Sequence, residues 1–241
     1  KITKGLDLKL YGEPMPEVVE TFVSEYALKP KDFIGLTPKL LIEEGERVKA
    51  GTPLFYAKGK EKVLFTSPIS GVVKQVKRGE KRVIEEVIIS ADETIEYLDF
   101  GISSISELNA EQIKEKLLIS GAWTLLRQRP YSVVPNPDTT PKCIIVSGFS
   151  SAPLAPKHCT LLEGLDAEVH VGVDALKKMT GVTIHVNLPS QNARAEELSK
   201  LQNVQINTFE GKHPCGNVSV QIEKLDPINK GERVWYLDAQ D

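Results

Sequence analysis

Residues 211–216, Gly-Lys-His-Pro-Cys-Gly, combine residue types that can bind a ligand. The imidazole of His213 offers a titratable donor and acceptor, and the two glycines let backbone approach a ligand closely. The stretch follows a predicted strand of a parallel sheet. It is interpreted either as a contact site for a ligand or partner or as a rigid turn that joins two domains. The candidate contact residues are Gly211, Lys212, His213, Pro214 and Gly216.

Lys60 offers a second kind of chemistry, covalent attachment of a swinging cofactor. It lies eight residues before Pro68, where biotinyl and lipoyl carrier domains have their modified lysine at the tip of a hairpin. Its neighbours, Gly59 and Glu61, match neither the methionines of biotin carriers nor the aspartate of lipoyl carriers. A lysine-rich, solvated hairpin tip is therefore expected, and modification of Lys60 remains the alternative.

The loop at residues 148–153 follows a predicted buried strand but has no phosphate-binding pattern. It contains neither Gly-x-Gly-x-x-Gly nor a Walker loop, and Pro153 lacks a backbone donor, so dinucleotide binding of the usual kind is not expected. The loop is also a near miss for a hydrolase nucleophile elbow with Ser150 as nucleophile. A stand-alone α/β enzyme that uses Ser150 or a metal stays open as an alternative.

Histidine and cysteine are too sparse to predict a metal centre. The pairs His158–Cys159 and His213–Cys215 lack the two-residue gap of zinc sites, and no Cys-x-x-Cys occurs. His170 and His185 are interpreted as packed side chains. The odd set of three cysteines is typical of a reducing compartment.

Composition excludes several functional classes. The chain has 241 residues and a net charge of −3, which gives no electrostatic footprint for nucleic acid. No apolar run approaches the roughly 20 residues that span a bilayer, so membrane association is expected to come through partner proteins. The chain does not begin with Met and shows no evident domain end at 235–241, which predicts a part of a longer protein.

The first hundred residues predict a β-rich domain. Two similar stretches, Leu40–Phe55 and Gly71–Ile84, each read as a strand, a charged turn with one glycine, and a second strand. Facing hairpins of this kind form a flattened barrel. The region Phe33–Ile89 thus resembles the barrel-sandwich hybrid of biotinyl and lipoyl carriers.

A period change near Asn109 predicts a second domain. Asn109 and Gln112 can form a capping box, and Pro130–Pro141 reads as an extended linker after a short helical turn over Trp123–Arg129. A Rossmann-like β-α-β-α-β unit follows. Its strands and helices are predicted at 143–147, 168–180, 182–186, 192–201 and 204–209, with further strands at 218–222 and 234–237.

The predicted fold is mixed α/β. The predicted divisions are a barrel-sandwich hybrid domain at 1–105, a Rossmann-like domain at 106–210, and a β segment at 211–241 that leads into a missing C-terminal domain.

An ordered series of segments resembles the A subunit of the sodium-translocating NADH:quinone oxidoreductases. The segments are Lys4–Leu8 with Gly12 and Pro14, Gly35–Lys39, Phe65–Gly71, Arg78–Arg82, Arg129–Ser132, Asp138–Pro141, Gly211–Gly216, Val234–Trp235 and Asp238–Asp241. They keep the family's order along nearly the whole chain. The set covers the N-terminal and middle parts of the family and not its C-terminal region.

The resemblance implies a peripheral subunit on the cytoplasmic face of the bacterial inner membrane. It implies that the chain binds no cofactor, that NADH, flavins and iron–sulfur centres belong to partner subunits, and that ubiquinone is a candidate substrate. Residues 211–216 then become candidates for contact with quinone or partners. One departure stands out: family members continue after this turn with a Gly-Thr-His-Ile-His-like stretch, which Asn217–Ile222 replaces.

Overall fold

The computed structural model of the protein describes residues 1–8, 10–12, 19–155, 164–190, 201 and 203–241. Their contacts define two compact units. The barrel unit comprises Val19–Leu126 and Tyr131–Thr139. The α/β unit comprises Lys1–Val18, Arg127–Pro130 and Thr140–Asp241. Residues 106–126 therefore group with the barrel and the first residues with the α/β unit, whereas the divisions predicted at 105/106 and 210/211 stay a prediction.

Seven strands build the barrel unit in two antiparallel sheets. They are β1 (Glu25–Leu28), β2 (Pro38–Leu40), β3 (Arg47–Val48), β4 (Pro53–Ala57), β5 (Lys60–Thr66), β6 (Gly71–Arg78) and β7 (Ile84–Ala91). The sheet orders are β1-β7-β6-β3 and β2-β4-β5. The predicted hairpin of β6 and β7 is confirmed. The first predicted stretch differs, because β2 pairs with β4 while β3 crosses to the other sheet and pairs with β6.

Aromatic packing forms the core of the barrel unit. The rings of Phe55 and Phe65 stack with centroids 5.0 Å apart, and Phe33 meets Phe65 edge-on at 4.6 Å. Leu54 and Val63 are also fully buried. Contacts of this kind between strands of one small sheet give the unit a dry core.

The capping box predicted at Asn109 is confirmed and begins α1 (Ala110–Ile119). Asn109 Oδ1 accepts from Gln112 N, and Gln112 Oε1 accepts from Asn109 N, both at 2.9 Å. Ile113 and Leu118 are the buried positions of this helix. A short 3₁₀ helix, Ala122–Leu125, follows and is succeeded by a strand, so the helical turn predicted through Arg129 ends earlier than expected.

The predicted linker Pro130–Pro141 is packed over much of its length. Val134 and Pro135 are buried, and the buried indole Nε1 of Trp123 donates to Pro135 O at 3.0 Å. Residues 131–139 accordingly belong to the barrel unit. This contact could not be predicted from the sequence. The four prolines indicate extended backbone but do not indicate what it packs against.

The α/β unit contains a five-stranded sheet of order β11-β10-β9-β12-β8. Its elements are β8 (Arg127–Arg129), β9 (Cys143–Ser147), α2 (Asp166–Thr180), β10 (Thr183–Pro189), β11 (Gln205–Phe209), α3 (Val218–Leu225) and β12 (Val234–Asp238). Strands β9 to β12 are parallel and β8 is antiparallel to β12. The Rossmann-like arrangement is thus confirmed. The helix predicted over 192–201 lies outside the described residues.

Helix α2 agrees with its prediction. Val173 and Leu176 are buried, and Gly181 ends the helix in the left-handed conformation at φ +69°. A residue without a Cβ adopts that conformation at no steric cost.

Residues 218–222 are helical, so the strand predicted there is wrong. The Asn217 side chain accepts from Ser219 N at 3.0 Å and caps the helix. Val218 and Ile222 lie one turn apart and pack on Cys143 and Ile145 of β9. The alternation of Val218, Val220 and Ile222 indicates a strand, whereas Val218 and Ile222 alone, four residues apart, also fit one face of a helix.

Candidate functional site

The turn Gly211–Gly216 lies at the edge of the sheet where the parallel strands end. It follows β11 and leads into α3. Residues 148–151, which follow β9, and Ser190, which follows β10, lie at the same edge. Open α/β sheets bind their ligands outside the carboxyl ends of the strands, so this is the edge where a site is expected.

The first residues of the chain run along this turn. We call residues 1–7 the N-terminal strap. Ile2 N donates to Glu210 O at 2.7 Å, and Leu6 N donates to His213 O at 3.0 Å. In return, the backbone N–H of His213 donates to Asp7 Oδ1 at 3.0 Å. The strap therefore holds the turn from Glu210 to His213.

Close packing explains both glycines of the turn. A Cβ on Gly211 would lie 2.3 Å from Ile2 O, and a Cβ on Gly216 would lie 2.4 Å from Ser151 N. Neither distance is tolerable for backbone atoms. Contact with the strap and with the residues that follow β9 therefore accounts for both glycines. The turn joins β11 to α3 within the α/β unit, so the alternative of a turn between two domains is not what the structure has.

A cavity of about 590 Å³ lies beside the turn. Part of its wall is apolar and is formed by Ile2, Phe149, Pro189 and Phe209. Its polar lining includes Thr3, Ser151, Ser190 and Lys212. An apolar cavity with a few convergent polar groups is the usual form of a small-molecule site.

Two buried phenylalanines form part of the cavity wall. The ring centroids of Phe149 and Phe209 are 6.4 Å apart, and both side chains are buried with Cys215. The Cys215 thiol donates to Gly211 O at 3.0 Å, which ties the cluster to the turn. A salt bridge of 2.8 Å between Lys1 and Glu210 lies at the margin of the cavity.

Ser151 connects the cavity to the turn. Its Oγ accepts from Gly216 N at 2.8 Å and lies 3.1 Å from Nδ1 of His213. Ser151 itself lines the cavity. The Ser151 hydroxyl, which lines the cavity, is therefore hydrogen-bonded to the imidazole of His213.

The predicted contact residues divide into two sets. Gly211 and Lys212 line the cavity. His213 and Gly216 contact Ser151 instead, and Pro214 follows His213 through a cis peptide bond. The role of all five residues as a contact site stays a prediction.

Sequence reasoning missed Ser151, Phe149 and Phe209. It weighed the neighbouring Ser150, whose Oγ accepts from Ala152 N at 3.2 Å within its own loop. The position of Ser151 just after a buried strand was the available signal. Its partner His213 is 62 residues away in sequence, which is why the pair was not predicted.

Lys60 differs from the solvated tip that the sequence indicates. It opens β5 and is half-buried, and its Nζ donates to Val134 O at 3.2 Å. Burial lowers the pKa of its amine. An amine held by a backbone carbonyl disfavours the carrier alternative, which needs a lysine that projects freely.

The remaining histidines and cysteines give no metal cluster in the part of the chain that the structure describes. His185 is buried in β10, and burial lowers its pKa while the Asp226 charge opposes that shift. His170 is half-buried in α2. His158 and Cys159 lie outside the described residues. Among the described helices, none has the length and apolar character needed to cross a membrane.

Comparison with known proteins also gives two domains in this order, with bounds that differ from the contact units at residues 1–18, 108–126 and 131–139. A family model described as the NqrA N-terminal barrel-sandwich hybrid domain matches residues 1–92. A second, described as the NqrA second alpha/beta domain, matches residues 108–241. The predicted succession of a barrel-sandwich hybrid and an α/β domain is thereby confirmed.

Similar proteins are named as the A subunit of the Na(+)-translocating NADH-quinone reductase. The protein of Serratia proteamaculans (strain 568) is 36% identical over 248 residues, and that of Yersinia pestis is 34% identical over 246. The protein of Klebsiella pneumoniae (strain 342) is 34% identical over 244 residues. Each match covers 100% of this chain and 54% of the relative's length. The chain spans about half of these relatives and belongs to the NqrA family, the A subunits of the Na(+)-translocating NADH-quinone reductases.

Proposed function

We propose that the chain serves as a peripheral, cofactor-free part of the A subunit in a sodium-pumping NADH:ubiquinone oxidoreductase. It contributes to assembly of the complex and to interaction with ubiquinone. NADH, flavins and iron–sulfur centres belong to the partner subunits, and the chain lies on the cytoplasmic face of the bacterial inner membrane. No reaction is expected from the chain alone.

The observation that carries this proposal is the match of both family descriptions, in order, to the two halves of the chain. The relatives that match are named as the A subunit of the reductase. Contact with the membrane through partner subunits is part of the same proposal.

The quinone part of the proposal rests on the cavity beside Gly211–Gly216. A quinone is a flat apolar ring with two carbonyl acceptors. The wall formed by Phe149 and Phe209 suits the ring, and the Ser151 and Lys212 side chains suit the carbonyls. The volume of about 590 Å³ is within the range of small-molecule sites.

Two exposed regions are proposed for partner contact. One is the turn itself, where Gly211 and Lys212 are exposed. The other is the segment 130–141, where Tyr131 is 74% exposed. Exposed aromatic side chains are common at protein interfaces.

A pull-down tests the assembly. The complete NqrA protein carries a tag in a strain that lacks its own copy, and detergent-solubilised membranes are purified through it. Co-elution of integral membrane subunits with flavin and sodium-stimulated NADH:quinone reductase activity supports the proposal. Elution without membrane subunits contradicts it.

The carrier alternative has its own measurement. The intact mass of the complete NqrA protein purified from its native host should equal the mass calculated for its unmodified sequence. An added mass of biotin or lipoate at Lys60 would favour the carrier module instead. Lys60→Arg should remove any such added mass. The control Lys58→Arg, on the same hairpin, should retain it.

A further inference from the structure

The hydroxyl of Ser151 is poised between two hydrogen-bonding arrangements. It has one hydrogen and two acceptor lone pairs. Gly216 N–H occupies one lone pair at 2.8 Å. The remaining contact, 3.1 Å to His213 Nδ1, can run in either direction, depending on which ring nitrogen of His213 carries the hydrogen.

In the first arrangement Ser151 donates to an unprotonated Nδ1, and its second lone pair faces the cavity. In the second, Nδ1–H of His213 donates to that lone pair, and the hydroxyl hydrogen is free for the cavity. The first offers a ligand an acceptor, and the second offers it a donor. The same side chain can thus pair with either kind of oxygen.

We infer that Ser151 and His213 form a donor–acceptor switch that recognises the oxygen of a quinone-type ligand in this cavity. The inference rests on the proposed quinone interaction. A quinone carbonyl accepts from the Ser151 hydroxyl, with Nδ1–H of His213 supporting it. A quinol hydroxyl donates to Ser151 Oγ, with the hydroxyl hydrogen turned to Nδ1. The two arrangements differ by the tautomer of His213: Nδ1 gains a proton from water as Nε2 returns one to water.

The surroundings favour this role over a purely structural one. Gly216 N–H fixes the position of Oγ, so either arrangement presents the same point on the wall. Asp7 Oδ1 and Leu6 N hold the backbone N–H and C=O of His213, so these contacts do not depend on the tautomer of its ring. Phe149 and Phe209 line the same open cavity as Ser151 and present an apolar surface to the ring of a ligand.

Calorimetric titration of the complete NqrA protein with ubiquinone-1 tests the switch. Ser151→Ala should weaken binding about tenfold, because one hydrogen bond to the carbonyl is lost. His213→Asn should bind nearly as well as the parent, since its amide N–H takes the place of Nδ1–H, whereas His213→Leu should bind as weakly as Ser151→Ala. Ser150→Ala is the matched control and should leave binding unchanged.

A second ligand separates ring contact from carbonyl recognition. The dimethyl ether of ubiquinol-1 keeps the ring and tail but replaces the carbonyls by weakly accepting ether oxygens, so Ser151→Ala should change its affinity much less than that of ubiquinone-1. Equal affinity of the parent and Ser151→Ala for ubiquinone-1 would overturn the switch and leave the quinone site standing. Failure of the parent chain to bind ubiquinone-1 would overturn the quinone site and the switch together.

A spectroscopic readout needs no variant and covers the case in which Ser151→Ala does not fold. In the parent chain labelled with ¹⁵N-histidine, ubiquinone-1 should move Nδ1 of His213 to the shift of a protonated ring nitrogen. Ubiquinol-1 should move it toward the unprotonated value. An Nδ1 shift that is the same with both ligands would contradict the switch.

Discussion

Asn187 of β10 donates its side-chain amide to Oε1 of Gln221 of α3 at 2.9 Å, and both side chains are fully buried. Asn207 of β11 extends the contact by donating to Asn187 Oδ1 at 3.0 Å. Two parallel strands and the covering helix are thus joined by a polar chain inside the α/β unit. These hydrogen bonds lower the cost of burying Asn187 and Gln221 Oε1, whereas Nε2 of Gln221 has no hydrogen-bond partner among the described residues.

Asn187→Leu should lower the free energy of unfolding by about 1–3 kcal/mol. The substitution leaves Oε1 of Gln221 without its donor in a dry interior. Urea denaturation of the two proteins measures the difference. Thr208→Leu, at an exposed position of β11, is the control and should change stability little. Equal unfolding midpoints for Asn187→Leu and the parent would show that the hydrogen bonds of Asn187 make no net contribution to the free energy of unfolding.

The same contact explains why α3 was not predicted. Gln221 reads as a polar residue between apolar ones, which is the pattern of a half-buried strand. It is buried because Asn187, 34 residues earlier, supplies a partner. A pattern rule cannot include a partner so distant, whereas α1 and α2 were predicted because their caps and apolar faces are local.

Gly216→Ala and Gly172→Ala should have opposite effects. A Cβ at Gly216 would lie 2.4 Å from Ser151 N, so the loop after β9 must move and stability should fall. Gly172 is exposed on α2 with nothing within 4 Å of a Cβ, so alanine should stabilise by about 0.5–1 kcal/mol.

Thermal unfolding of both glycine variants measures these two changes in stability. Gly216→Ala should also lose affinity for ubiquinone-1, because it displaces Ser151. An unchanged melting temperature for Gly216→Ala would mean that the loop yields without cost and would remove the steric explanation for this glycine.

Trp123→Phe should destabilise the barrel unit by about 1–3 kcal/mol. Phenylalanine keeps a six-membered aromatic ring but lacks the fused five-membered ring, so a void opens at this buried position and Pro135 O loses the indole N–H that lies 3.0 Å away. Chemical denaturation followed by circular dichroism measures the loss. Tyr131→Phe, at an exposed position of the same segment, is the control. A loss no greater than that of the control would indicate that the segment 131–139 is held by other contacts.

Stability should fall as the pH rises from 9.0 to about 11, through Cys143. Burial, together with the charge of Asp226, raises the pKa of this thiol from 9.0 to about 11. The folded state therefore keeps a proton that the unfolded state releases, and the associated stability is complete below pH 9.0. It is lost progressively as the pH approaches the folded pKa.

Melting temperatures of the parent and Cys143→Ala across this range isolate the effect. The difference between the two proteins should be constant below pH 9.0 and should shift against the parent above it. A difference that does not vary with pH would contradict the raised pKa. Because only differences are compared, the other groups that titrate in this range cancel.

The candidate site was predicted in part. The turn Gly211–Gly216 was found because its composition is unusual over six adjacent residues. The cavity was not found, because its wall combines the strap with loops after three strands. Only the order of the parallel sheet brings Ser151 to His213 and Ile2 to Gly211.

The N-terminal strap has a consequence for how the protein is made. Ile2 and Glu210 are hydrogen-bonded neighbours that a ribosome produces more than two hundred residues apart. At the usual pace of synthesis, about 5–20 residues per second, the strap waits ten seconds or more for the turn that receives it. The barrel unit, whose residues are complete well before that turn, can fold in the meantime. The α/β unit is then completed late. If translation stopped before residue 210, the strap would lack the backbone groups of Glu210 and His213 to which it is hydrogen-bonded.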